Sequence, residues 1–128
     1  KLICRPTVVR SVLRKVYIDQ ARVTDALVAA FVTPGYDRGA ARAFCRLAQA
    51  RTSTDFSRET KDLLQEIDQP ILLLWGEQDR VIPIAWGRQI AATLGDRLKL
   101  VEIPDAGHCP YDESAERVNR EILTWLAN

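Results

Sequence analysis

At 128 residues, with 47% hydrophobic and 27% charged side chains, the chain has the length of one domain. That is apolar mass for one sizeable core, which would bury roughly two-thirds of the unfolded surface and excludes a disordered tail or a low-complexity polymer. The net charge of +1 conceals an asymmetry, because residues 1–51 hold 10 Lys/Arg against 3 Asp/Glu whereas residues 52–128 hold 8 against 14. The basic half lacks the interleaved aromatic side chains of a stacking platform, so nucleic acid is not an expected partner.

Across residues 7–17, Val8, Val9, Val12, Leu13, Val16 and Tyr17 recur at helical spacing, with Arg10, Arg14 and Lys15 largely between them, which predicts an amphipathic helix. A second helix is predicted in "VTDALVAAFV", capped by Thr24 or Asp25 and stopped by "TPGY". "DRGAARAFCRLAQAR" predicts a third, with Ala40, Phe44, Leu47 and Ala48 on its apolar face. A fourth runs through "SRETKDLLQEI", with Ser57 and Lys61 near its start and Leu64 and Ile67 inward. Residues 1–68 therefore read as helical throughout.

At Pro70 the pattern changes, since "ILLLW" is a short continuous apolar run of the kind found in a strand buried on both faces of a parallel sheet. After "GEQDRVIP", residues 84–94 read as a helix terminated by Gly95 in the left-handed conformation. "LKLVEI" then reads as a second strand, "PDAGHCPYDE" as a loop, and residues 114–127 as a final helix with Val118, Ile122, Trp125 and Leu126 inward. The second half is strand-helix-strand-helix, and a crossover joining two parallel strands is its natural arrangement. Two strands are too few to flank an apolar strand on both edges, so the unit reads as part of a larger sheet.

Cys4, Cys45 and Cys109 are an odd number without C-x-x-C spacing, which argues against a disulfide framework. A single histidine argues against a structural zinc site. The run "PILLLW" is far shorter than a bilayer span, and "KLICRPTVVR" carries charge where a signal sequence would be apolar. No membrane association and a cytoplasmic location are expected.

In open parallel sheets the chemistry gathers at the carboxyl ends of the strands. Asp79 follows the strand ending at Trp75 and His108 follows the strand ending at Ile103. On neighbouring strands, the Asp79 carboxylate can reach the imidazole, fix its tautomer and stabilise the imidazolium. A lone loop histidine is most often a hydrogen-bonded bystander, and aspartate also favours turns. The paired spacing keeps a catalytic role open for both beside those readings, with Glu77 and Asp105 as weaker substitutes for the acid. Cys109, next to the histidine, reads as a small packing residue. Trp75 and Trp86 are candidates for a substrate pocket, with Trp75 favoured as sheet core. Arg10, Arg14, Arg42 and Arg46 read first as a solvated helix face and second as a basic surface for an anionic substrate.

"PILLLWGEQDRVIPIAWGRQIA" followed by "LKLVEIPDAGHCPYDESAERVNREILTWL" resembles the C-terminal part of an α/β-hydrolase. Trp75, Gly76, Asp79 and Pro83 match the context of that family's acid, and Gly107 and His108 match its G-H loop. The extended form "GHCPYDE" is similar to hydrolases of cyanobacteria and chloroplasts, including the pheophytinase-like group. The resemblance implies an α/β fold: a helical cap over residues 1–68, then residues 69–128 as a strand-helix-strand-helix unit from the C-terminal edge of the hydrolase sheet. It implies ester or related acyl hydrolysis with Asp79 and His108 as catalytic residues and no metal or organic cofactor. The substrate would be a small, ester-like and hydrophobic molecule.

One part of the family pattern is missing. The nucleophile belongs in a G-x-S-x-G turn that precedes the acid and the histidine, but the serines here stand in "RSV", "TST", "FSR" and "ESA". The expectation is therefore a chain that is inactive alone and completed by an N-terminal half holding the nucleophile. The alternative expectation is a non-catalytic product, or half of a split enzyme, acting by self-association or partner capture through its open sheet edge.

Overall fold

The computed structural model of this chain describes residues 5–50 and 62–127. Apolar β-prone residues form the two expected strands, β1 (Ile71–Gly76) and β2 (Leu98–Ile103). They pair in parallel, Ile71 opposite Leu98 through Gly76 opposite Ile103. The helix α4 (Ile84–Leu94) connects them. Because side chains alternate across a strand, Leu73 and Trp75 share one face with Leu100, and Leu74 and Gly76 share the other with Val101 and Ile103. Helix α4 lies over the first face, with Gly87 close against the Trp75 ring and Leu100. The final helix α6 (Ala115–Leu126) lies over the second, where Val118 and Ile122 pack with Ile103, Ala106, Leu74 and Val101. Both sheet faces are covered by helices, as an all-apolar strand demands.

The preceding helices are α1 (Pro6–Val16), α2 (Asp25–Val32) and α3 (Ala40–Ala50), and residues 62–66 are also helical. Helix α1 starts with proline at its first turn and ends with Arg14 and Lys15 against the negative end of the helix dipole. Thr24 caps α2 by accepting from the Leu27 amide at 3.1 Å, a cap that contributes about 1 kcal/mol. Leu13, Tyr17, Val23, Val28 and Val32 form a core between α1 and α2, and one residue of the distant histidine loop, Cys109, completes it. The guanidinium of Arg97 donates to the carbonyls of Gln65 and Ile67, tying 62–66 to the start of β2.

Several expectations are corrected. Residues 110–113 are not loop but a short helix, α5 (Pro110–Glu113), for which Pro110 at the first helical position and Asp112 and Glu113 in the first turn are the start signal. Phe44, Leu47, Ile67 and Leu126 are exposed rather than inward. On α1, Val8 and Val12 are exposed while Leu13 and Tyr17 are buried, because α2 covers only part of the apolar stripe. Strand β1 is half-buried except at Gly76: its faces are covered, but among the described residues only one of its edges is paired. Gly95 has the positive φ expected of a terminator, 57°, with ψ at −134°, so it is not left-handed helical. Cys4, Ser57 and Lys61, and the side chain of Ala48, lie outside the described residues. Among the described residues no helix is long and apolar enough to cross a membrane.

Candidate active site

The parallel register brings Gly76 and Ile103 to the same edge of the sheet, and the loops that follow them lie side by side. Gly76 is what permits this: a Cβ there would sit 2.0 Å from the Gly107 carbonyl oxygen and 2.4 Å from that of Ala106. The loops are then stitched by backbone, Glu77 N–H donating to Ile103 O at 2.9 Å and Gln78 N–H to Ala106 O at 3.1 Å. The Gln78 side chain adds a 2.8 Å bond to the Pro104 carbonyl.

On this frame the Nδ1 of His108 stands 2.9 Å from Oδ2 of Asp79. The Asp79 side chain is 5% exposed, so its carboxylate needs protein partners. Its second oxygen, Oδ1, accepts from the amides of Val81 at 2.7 Å and Ile82 at 2.9 Å. One oxygen of Asp79 therefore holds the turn and the other meets the imidazole. A fixed carboxylate at Nδ1 selects the tautomer with the proton there, leaving Nε2 as the basic nitrogen. Glu77 and Asp105 are exposed and make no bond to the ring.

His108 is 36% exposed and borders an open cleft of about 210 Å³ whose walls include Leu73, Trp75, Ile82 and Pro110. Trp75 thus lines the cleft while its indole N–H donates to the Ile82 carbonyl at 3.0 Å, whereas Trp86 is exposed and does not border it. The cleft can hold an apolar group beside a nitrogen base. Among the described residues no cluster of three His, Cys, Asp or Glu is placed to hold a metal ion. Cys109 is buried in the helical core, consistent with packing. Arg10 donates to Val23 O at 2.8 Å and pairs with Asp25, so it braces α1 to α2 rather than standing free in a basic surface.

Three residues not singled out from the sequence complete the surroundings. Glu113 accepts from the Gly107 amide and Asp112 from the Tyr17 hydroxyl, at 2.8 and 2.7 Å. Burial first, and then the bond to Asp112, raise the Tyr17 phenol above its ordinary range. The Tyr111 hydroxyl is also raised, chiefly by its bond to Cys109. The helix-start signal in "CPYDE" was the clue that would have placed these acids beside the histidine loop.

The family model described as "Alpha/beta hydrolase family" matches residues 5–121. Among curated proteins, the chain is 27% identical to a chloroplastic pheophytinase of Arabidopsis thaliana over 94% of its length and 25% of the relative's. It is 30% identical to the dihydrolipoyllysine-residue acetyltransferase component of an acetoin cleaving system from Pseudomonas putida, over 88% of this chain and 29% of that one. It is also 31% identical to a bifunctional esterase/perhydrolase of Acinetobacter calcoaceticus, over 69% of this chain and 30% of that one. The chain spans less than a third of the length of each of these relatives.

Proposed function

From the premise that this chain belongs to the alpha/beta hydrolase family, we propose that it carries the acid and the base of a triad for ester or related acyl hydrolysis. The observation that carries this is the 2.9 Å contact between His108 Nδ1 and an Asp79 carboxylate held by two backbone amides. His108 Nε2 takes the proton of a serine hydroxyl as the oxygen attacks the substrate carbonyl, and returns it to the leaving group. Asp79 keeps the ring oriented and stabilises the imidazolium. Two relatives are named for acetyl transfer and for ester cleavage, which are both acyl transfers. The apolar walls of the cleft suit a hydrophobic ester-like substrate.

The nucleophile lies outside these 128 residues, since no serine here is flanked by glycines. Residues 1–68 act as the cap and 69–128 as the C-terminal part of the core. The cleft is smaller than the roughly 300–1,000 Å³ of ligand pockets, as one wall of a divided site would be. The edge of β1 that is unpaired among the described residues supports a second reading in which the chain docks onto a separate complementary half or onto itself.

The test is to read the DNA upstream of the Lys1 codon and to express the whole frame. The expected product contains a G-x-S-x-G turn and hydrolyses p-nitrophenyl esters, and His108→Ala lowers kcat by about 10³-fold or more. A stop codon directly upstream would move the weight to the docking reading. Ester hydrolysis by the 128-residue chain alone would overturn the external nucleophile.

A further inference from the structure

The histidine loop is held from two sides, and only one of them is the sheet. On the other side it runs against the carboxyl end of α1. His108 N–H donates to the Val16 carbonyl at 3.1 Å, and a Cβ on Gly107 would lie 2.7 Å from that same oxygen. Between the two segments stands the half-buried Glu113. Its Oε1 accepts from the Gly107 amide at 2.8 Å, and its Oε2 accepts from the Ile18 amide at 2.6 Å, 95 residues away in sequence. Cys109, one residue beyond the histidine, is buried in the helical core, whereas Ala106, two residues before it, is buried in the sheet core.

A carboxylate is the group this geometry asks for. Both partners are N–H donors, so both side-chain oxygens must accept, and an ionised acceptor makes the stronger bond. A glutamine amide offers one acceptor oxygen and turns its NH₂ toward the other donor.

We propose that Glu113 is a positioning residue that locks the His108 loop to the end of α1, so that the alignment of the imidazole on Asp79 depends on the docking of the N-terminal helical segment. This role rests on the acid–base reading of Asp79 and His108. The end of α1 is thereby a fixed anchor of the site, and the helical segment cannot lift there without carrying the base with it.

The chain contains a single histidine, so the ¹⁵N spectrum of its imidazole reports the tautomer of His108 without overlap. In the unaltered chain, at a pH where the ring is neutral, the Nδ1–H form should dominate. Asp79→Asn should redistribute it, which serves as the reference. Glu113→Ala is expected to move the imidazole signals toward that reference and to lower amide-exchange protection at both Gly107 and Ile18 by about tenfold or more. Glu113→Gln should lie between and keep protection at only one of the two amides. It carries the same comparison if the alanine variant does not fold.

Loss of amide protection with unmoved imidazole signals would overturn the proposal and leave Glu113 a structural brace. If Asp79→Asn itself leaves the tautomer unchanged, the acid–base reading fails instead, and the two failures are separable.

Discussion

The helical core and the sheet core meet at the histidine loop, yet they are closed in different ways. Five of the six buried residues of the helical core come from positions 13 to 32, and Cys109 seals it from afar. Among the described residues the sheet region buries Leu94, Leu98, Ile103, Ala106 and Val118, with Leu74, Val101 and Ile122 half-buried against the last three. A helix hides its apolar stripe against one neighbour, but a strand needs a partner on each edge as well as cover on each face. Among the described residues the first region draws its buried core almost wholly from neighbouring positions, while in the second only one edge of β1 is paired.

The largest expected effects test that difference directly. Leu13→Ala and Ile103→Ala should each destabilise the chain by about 2–5 kcal/mol, measured by urea unfolding. With cores of unequal closure, Leu13→Ala should lower amide protection mainly in α1 and α2, and Ile103→Ala mainly in β1 and β2. Identical loss across both regions would mean one cooperative unit and would break the comparison.

Gly76→Ala should have the next largest effect, about 1–3 kcal/mol, because backbone oxygens of Ala106 and Gly107 occupy the space its Cβ needs. The strain falls on the seam between the loops, so the His108 signals should shift even where α1 and α2 keep their protection.

The smallest expected change is that of Tyr17→Phe, about 1 kcal/mol at neutral pH from the lost bond to Asp112. Its pH dependence is more telling. The native phenol is raised, chiefly by burial, so the unfolded chain releases that proton at lower pH than the folded chain. The stabilisation is complete below about pH 10 and declines as pH rises beyond it. Tyr17→Phe should lack that part of the alkaline decline, leaving the part due to Tyr111. An unchanged alkaline profile would show that Tyr17 is no more buried in the fold than in the unfolded chain.

Much of the second half was legible in one dimension. "ILLLW", a continuous apolar run, and "LKLVEI", a short apolar segment broken by Lys99 and Glu102, were both read as strands, and the segment ending at Gly95 as the helix between them. The pairing of Asp79 with His108 was legible because one strand-helix-strand passage places both on the same edge. The short helix α5 was missed although Pro110 and the two acids after it signalled its start. Phe44, Leu47 and Leu126 are exposed where an inward position was expected, because periodicity tells which residues share a side and says nothing of how far that side is covered.

Local order and the pattern of apolar residues are properties of neighbouring positions, and those were written in the chain. They sufficed for most of the element order, the parallel unit and the meeting of Asp79 with His108. Contacts between distant positions were not, because hydrogen-bond partners 95 residues apart leave no periodic trace. The grip of Glu113 on Gly107 and Ile18 is of that kind, as are the burial of Cys109 among helices far from it and the meeting of Tyr17 with Asp112. Each arises where backbone donors and buried polar groups had to find acceptors once the two cores were brought together, and that requirement appears only in three dimensions.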